Sequence, residues 1–243
     1  MEPIMNLTHI LSAAFLTSCL VVSPSSHLNA VEAPGGPIPS ATKDLTISSR
    51  SDGPSTLFEV LSAVTEASGV ELLADSNSTI KLKSSPSGFH GDFTIPAREA
   101  WTIVEHAITQ GGLCLSALHM GDTRLVAVHL TDDKAKKYSW KYSSVGVEDL
   151  DYVALHPSFL FEMSLALPNL DTRTLSNQMR GFGRDHSNLQ LVPFDSHSIV
   201  LRGVGREVES IARMLLETNE RVGERVEETD DAPGEDQATA EER

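Results

Sequence analysis

The chain has 243 residues, a net charge of −15 and 40% hydrophobic residues, with aromatics at only 5%. That leaves room for one large domain or two small ones with aliphatic cores, and the acidity argues against a nucleic-acid surface, which needs clustered Lys and Arg. The charge is uneven: residues 220–243 hold ten acids against three arginines, net −7 in a tenth of the chain.

Residues 10–22 (ILSAAFLTSCLVV) form an apolar run too short to span a bilayer comfortably, followed by Ser/Pro/Gly-rich sequence. This pattern predicts an export signal over residues 1–30, with Leu28-Asn29-Ala30 as a cleavage site. A second reading takes Leu16-Thr17-Ser18-Cys19 as a lipobox, which makes Cys19 the lipidated residue. Against both stands the absence of Lys or Arg ahead of the apolar run. Cleavage at Ala30 leaves Cys114 as the lone thiol, so no intramolecular disulfide is expected. Its place in an alternating run marks it as a buried structural cysteine.

Residues 31–43 read as a flexible lead. A first domain is expected over residues 44–133. Leu45-Thr46-Ile47 alternates as a strand. Thr56-x-x-Glu59 is a capping box, and Leu57, Val60, Leu61 and Val64 share one helical stripe that Gly69 closes. Residues 70–74 read as a strand, Lys81-Leu82-Lys83 as a half-exposed strand, and residues 88–95 as extended. A second helix, residues 97–110, buries Ala100, Trp101, Val104 and Ile108, and Gly111-Gly112 ends it. Residues 113–118 and 124–130 form a hairpin. Helices separated by strand pairs favour an α+β sandwich over a doubly wound parallel sheet.

Residues 134–149 read as a linker whose Lys134, Lys136, Lys137 and Lys141 flank Trp140: a contact for anionic lipid or nucleic acid, or, as the overall acidity favours, a charged linker with Lys on a sheet edge. A second domain is expected over residues 150–222. Phe159, Phe161, Met163, Leu165 and Leu167 alternate with period 2, giving a strand with one buried face. Asp171 is an N-cap between the staple residues Leu170 and Leu175, Leu175 and Met179 carry the buried face, and Gly181 and Gly183 stop that helix. Residues 189–193 and 198–202 form a second hairpin. Val208, Ile211, Ala212 and Leu215 are the stripe of a last helix. Residues 223–243 lack apolar side chains to bury and read as a disordered acidic tail.

No metal, cofactor or catalytic centre is expected. Of the histidines that survive signal cleavage, none pairs at H-x-x-x-H or H-E-x-x-H spacing. Gly181-Phe182-Gly183-Arg184 follows a helix, where a dinucleotide loop needs a strand. No Ser, His and Asp set has a nucleophile-elbow context. Arg180, Arg184, Arg202 and Arg206 are the candidate partner contacts: a cluster for a partner carboxylate, or surface cations paired with Glu207 or Asp185.

In residues 150–218 the chain resembles the repeated periplasmic domain of bacterial secretins. The likeness lies in the strand leading into Leu167 to Leu175 (Leu-x-x-Leu-Asp-x-x-x-Leu), in Arg180, in the hairpin His197-Ser198-Ile199-Val200-Leu201-Arg202-Gly203, and in Val208-Glu209-Ser210-Ile211 with Leu215-Leu216. His197 stands where the family usually has Asn, which leaves the hairpin register open. Residues 44–133 are similar to the extreme N-terminal secretin domain, shared with the signalling domain of TonB-dependent receptors. The match runs through the helix-Gly-strand of residues 57–74, Ile95-Pro96, residues 100–112 and Val126-Ala127-Val128. The resemblance implies two small sheet-plus-helix domains in tandem, an α+β protein of the periplasm or cell envelope, without the β-rich pore domain that secretins carry. It implies a non-catalytic assembly or adaptor module for envelope secretion or pilus-type machinery. Its partners would be a secretin-type channel, an inner-membrane component or a second copy, with no nucleic acid and no membrane span after signal removal. The alternative it leaves open is a signalling adaptor.

Overall fold

A computed structural model of the chain describes residues 38, 40–48, 53–120, 123–132, 140–182 and 189–230. Its architecture is α+β, with two sheet-plus-helix halves in tandem.

In the first half, β1 (Leu45–Ile47) pairs antiparallel with β3 (Phe93–Ile95). A separate sheet has the order β2-β5-β4, built from β2 (Glu71–Ala74), β4 (Leu113–Met120) and β5 (Thr123–Leu130); β2 runs parallel to β5. α1 (Leu57–Ala67) packs against β1, β2 and α3 (Ala100–Gln110). Its ends are where the sequence puts them. The Thr56 hydroxyl accepts from Glu59 N at 3.3 Å, and Thr56 N donates to Glu59 Oε2 at 2.8 Å. Gly69, at φ +64°, takes the left-handed turn that ends the helix. A single turn of 3-10 helix (Ala97–Glu99) leads into α3.

Two expectations for this half are corrected. Lys81-Leu82-Lys83 is not a strand but the last turns of α2 (Ser76–Ser84). Asp75 Oδ1 accepts from Ser78 N at 2.7 Å as its N-cap. The buried residues are Ser78 and Leu82, four apart, which is a helical and not an alternating spacing. The lead is also anchored sooner than expected: Ile38 is buried, and Thr42 N donates to Ala67 O at 2.9 Å.

The second half is one four-stranded sheet of order β6-β7-β9-β8. It comprises β6 (Ser143–Val145), β7 (Leu160–Ala166), β8 (Gln190–Pro193) and β9 (Ser198–Val204). β6 lies within the stretch read as linker and is too short to leave a periodic signal. A short α4 (Leu150–Leu155) connects it to its parallel neighbour β7. α5 (Thr172–Phe182) packs against β8, and α6 (Gly205–Asp230) packs against α4, β7 and β9. The expected tail is thus helical as far as Asp230; residues 231–243 lie outside the described residues. An i,i+4 pair of Arg221 with Glu217 supports this extension.

The hairpin register is settled by local bonds. Asp195 Oδ1 accepts from His197 N at 2.7 Å, Leu167 N donates to His197 O at 2.6 Å, and Pro193 faces Ile199. The Asp195 carboxylate ties the turn at His197. Phe161, Met163, Leu165, Ile199 and Leu201 point into the helix layer with Val208, Ile211, Ala212 and Leu215. This core is continuous with that of the first half, from Ile38 to Leu215. Where the halves meet, Leu115 N donates to Ser158 O at 2.9 Å and the Trp101 ring meets Phe159 edge-on, centroids 5.5 Å apart.

Candidate docking surfaces

The sheet of the second half has its helices on one side only. On the other side, register places Glu162 opposite Arg202, Ser164 opposite Val200, and Ala166 opposite Ser198, with Val192 across from Val200 on the edge strand β8. Ser144 on β6 lies level with Glu162. One end of this face is closed. Trp140, Leu160, Val204 and Cys114 form a small second core there, and the Trp140 ring lies 5.5 Å from that of His129. Trp140, expected in a charged linker, is therefore a buried pin. The other end is open: Ser164, Ala166 and Val192 are exposed, and Phe194, just past β8, is 81% exposed.

The charges on this face neutralise each other. Arg202 Nε donates to Glu162 Oε2 across β7 and β9. Tyr142 sits half-buried nearby. Burial pushes its hydroxyl above the ordinary value; Cys114 adds to the shift, Arg202 opposes it and Glu162 adds to it. What remains is small, uncharged side chains bordered by one large aromatic.

Of the four arginines singled out in the sequence, Arg202 is thus a cross-strand partner of Glu162. Arg206 is exposed in the first turn of α6, where its backbone N–H donates to Pro157 O at 3.3 Å. Arg180 lies on α5, and nothing of its side chain is described; Arg184 lies outside the described residues, as does Cys19. The first half has a smaller apolar strip on the outer side of its larger sheet. Leu118 faces Leu125, Met120 (68% exposed) faces Thr123, and Leu73 on β2 is 51% exposed.

Among the described residues no group of three His, Cys, Asp or Glu is placed to hold a metal ion. Three open hollows, of about 400, 390 and 240 Å³, hold respectively His106, Lys81 with Asp132, and Glu59, the last already engaged in the α1 cap. Asp171 and Asp195 have their carboxyls held below the ordinary value, Asp171 first by the Thr174 hydroxyl and Asp195 first by the His197 backbone N–H. Both are turn ties.

One cluster escaped the sequence. Glu105, on α3, is fully buried. Its Oε1 lies 2.7 Å from His156 Nδ1, and its Oε2 accepts from Ser158 N and Ser158 Oγ, both at 3.1 Å. The only trace in the sequence is a carboxylate next to Val104, on the helical side of Trp101 and Ile108. Its partners, 51 and 53 residues away, follow no motif.

Comparison with known proteins finds solved structures alone. No protein-family model matches the chain, and no curated protein does. The chain is similar to the N-terminal domains of secretins. It aligns over 70% of its length with 26% of a chain from the Klebsiella pneumoniae type II secretion system outer membrane complex of PulD, PulS and the PulC HR domain, at 12% identity and a TM-score of 0.46. It aligns over 73% of its length with 99% of a chain of the enterotoxigenic Escherichia coli GspC-GspD complex, at 10% identity and a TM-score of 0.27. With the N-terminal domain of the secretin XcpQ from Pseudomonas aeruginosa, in its S210C dimer mutant, the figures are 72% of this chain, 64% of that one, 9% identity and a TM-score of 0.22. The chain thus spans about a quarter of the first of these chains and under two thirds of the last.

Proposed function

We propose that this chain is an exported, non-catalytic assembly or adaptor module of the cell envelope, acting in the manner of the periplasmic part of secretins. Residues 1–30 direct it to the periplasm, by cleavage after Ala30 or by lipidation at Cys19. Its partner is a secretin-type channel subunit. The observation that carries this reading is the uncovered sheet face of the second half. A flat surface of Ser144, Ser164, Ala166, Val192 and Val200, with its one ion pair internally neutralised, suits contact with another protein and offers nothing to a small substrate. Phe194 supplies the large exposed aromatic anchor that such contacts use. No helix among the described residues is long and apolar enough to cross a membrane.

A second reading, a signalling adaptor that contacts an inner-membrane component through its first half, has its own support in the exposed Leu73 and Met120. Site-specific photo-crosslinking in intact envelopes separates the two. A photoreactive residue at Phe194 is expected to capture an outer-membrane channel subunit, identified by mass spectrometry. Capture of an inner-membrane protein from Met120, with nothing from Phe194, favours the second reading. Failure at both positions defeats the assembly role.

A further inference from the structure

We propose that Glu105 is a lock that holds the two halves in one fixed relative orientation. The inference rests on the joint itself and stands whichever surface docks a partner.

A carboxylate without water needs a partner for each oxygen. The hydrogen bonds that the Glu105 carboxylate accepts among the described residues come from the second half, out of a single turn: Ser158 N, Ser158 Oγ and the ring of His156. Nδ1 of His156 is placed to donate here when it carries the ring proton. The same turn is held from two other directions. Leu115 N, on β4, donates to Ser158 O at 2.9 Å. Gly205 N, opening α6, donates to Phe159 O at 2.8 Å, and Arg206 N to Pro157 O at 3.3 Å. Residues 156–159 are therefore the hub where α3, β4 and α6 meet.

The apolar contacts at this hub, Trp101 on Phe159 and His156 on Phe159, tolerate sliding and rotation; three directed bonds to two oxygens do not. Buried ionic groups are retained in some proteins for specificity of this kind. A Tyr152 hydroxyl that accepts from Ile38 N at 2.8 Å and a Ser116 hydroxyl that donates to Lys141 O at 2.8 Å add further polar ties across the joint.

The test uses the full chain and two substitutions. Glu105→Leu keeps the apolar packing and removes all three bonds. Ser158→Ala removes only the hydroxyl bond. Two readouts serve: hydrogen exchange of the Leu115 amide, which crosses the joint, and the distance distribution between spin labels at the exposed residues Asn77 and Ser210. In Glu105→Leu, exchange at Leu115 should accelerate roughly 10- to 100-fold, as loss of buried bonds to a charged group implies. The amides of Leu61 and Ala212, inside helices of either half, should keep their rates, and the distance distribution should broaden. Ser158→Ala should move both readouts the same way by less, and it decides the matter if Glu105→Leu does not fold. An unchanged Leu115 rate with a narrow distribution overturns the proposal. So does uniform acceleration at all three amides, which makes Glu105 a contributor to global stability only.

Discussion

Gly205 should be the least replaceable glycine of the second half. It opens α6 against the hub, and a methyl group built on it would lie 2.2 Å from His156 O and 3.1 Å from both His156 C and the Phe161 ring. The obstacle is mostly backbone, which cannot rotate away. Restoring ordinary contact needs a shift of about 1 Å in the start of α6 or in the turn. Either shift breaks the bonds from Gly205 N to Phe159 O and from Arg206 N to Pro157 O. Two such bonds at about 1 kcal/mol each and about 1–3 kcal/mol of overpacking put Gly205→Ala at about 3–5 kcal/mol. Gly223, also on α6, is the control. There a methyl meets Asn169 Nδ2 at 2.5 Å, the tip of a side chain in an exposed turn. Asn169 can swing aside at the expense of its bond to Asn219 O, and alanine recovers about 1 kcal/mol of helix propensity, so the net change is near zero. Urea unfolding followed by circular dichroism measures both. A loss below about 0.5 kcal/mol for Gly205→Ala, or equal losses at the two sites, refutes the packing account of the hub.

Trp140→Ala should cost about 3 kcal/mol, because it empties the small core it shares with Leu160 and Val204. It should also open the buried thiol of Cys114 beside it to a thiol reagent, and an unreactive Cys114 in that variant contradicts the pinning role. The two turn aspartates predict a specific acid response. Asp171 and Asp195 both titrate below their unfolded value, so the stability they add is present above about pH 4 and is lost as pH falls through their depressed folded values. In an NMR titration the amides of Arg173 and His197 should move at a lower pH than ordinary aspartates do; movement at the ordinary value removes the basis of the tie.

The elements that were legible in the sequence are those whose partners are local. The α1 capping box needs residues three apart, and the strand of alternating Phe161, Met163 and Leu165 needs only its own pleat. α2 failed that test. Its flanking lysines at 81 and 83 imitate alternation, and the telling residue was Asp75, six positions before Lys81, whose capping bond outweighs a weak apolar signal. The far part of α6 differs from the expectation because acidity was taken for disorder; the helix runs on past Val222, the last residue of the expected domain, to Asp230. Of the candidate contacts, Arg202 was visible as a residue, but its pairing was not: Glu162 lies 40 positions away and meets it only through the β7–β9 register. The Glu105 joint was invisible for the same reason. Hydrophobic period reports how each element lies on its own sheet and carries no information about which carboxylate a turn 51 to 53 residues away will satisfy.

An uncovered sheet face is ordinarily a hazard, since bare strands invite unwanted pairing. This one limits that hazard while staying open for contact. The edge strand β8 is four residues long and includes Pro193, which has no N–H to offer a neighbour. The opposite edge, β6, is three residues long. Serine and alanine line the exposed part of the face, so little apolar area meets water, and the Glu162–Arg202 pair fixes charge within it. Phe194 departs from this caution: a fully apolar ring, at the tip of a hairpin whose turn is held by Asp195 and by Thr172 N on Ser196 O, is kept in water. A rigid turn presenting an exposed aromatic adds little to the fold, because the residue, 81% exposed, buries little area against it. If the proposed docking role holds, a partner surface covers this ring, and the asymmetry between a guarded sheet and an unguarded tip is the ground for placing the proposed anchor at Phe194.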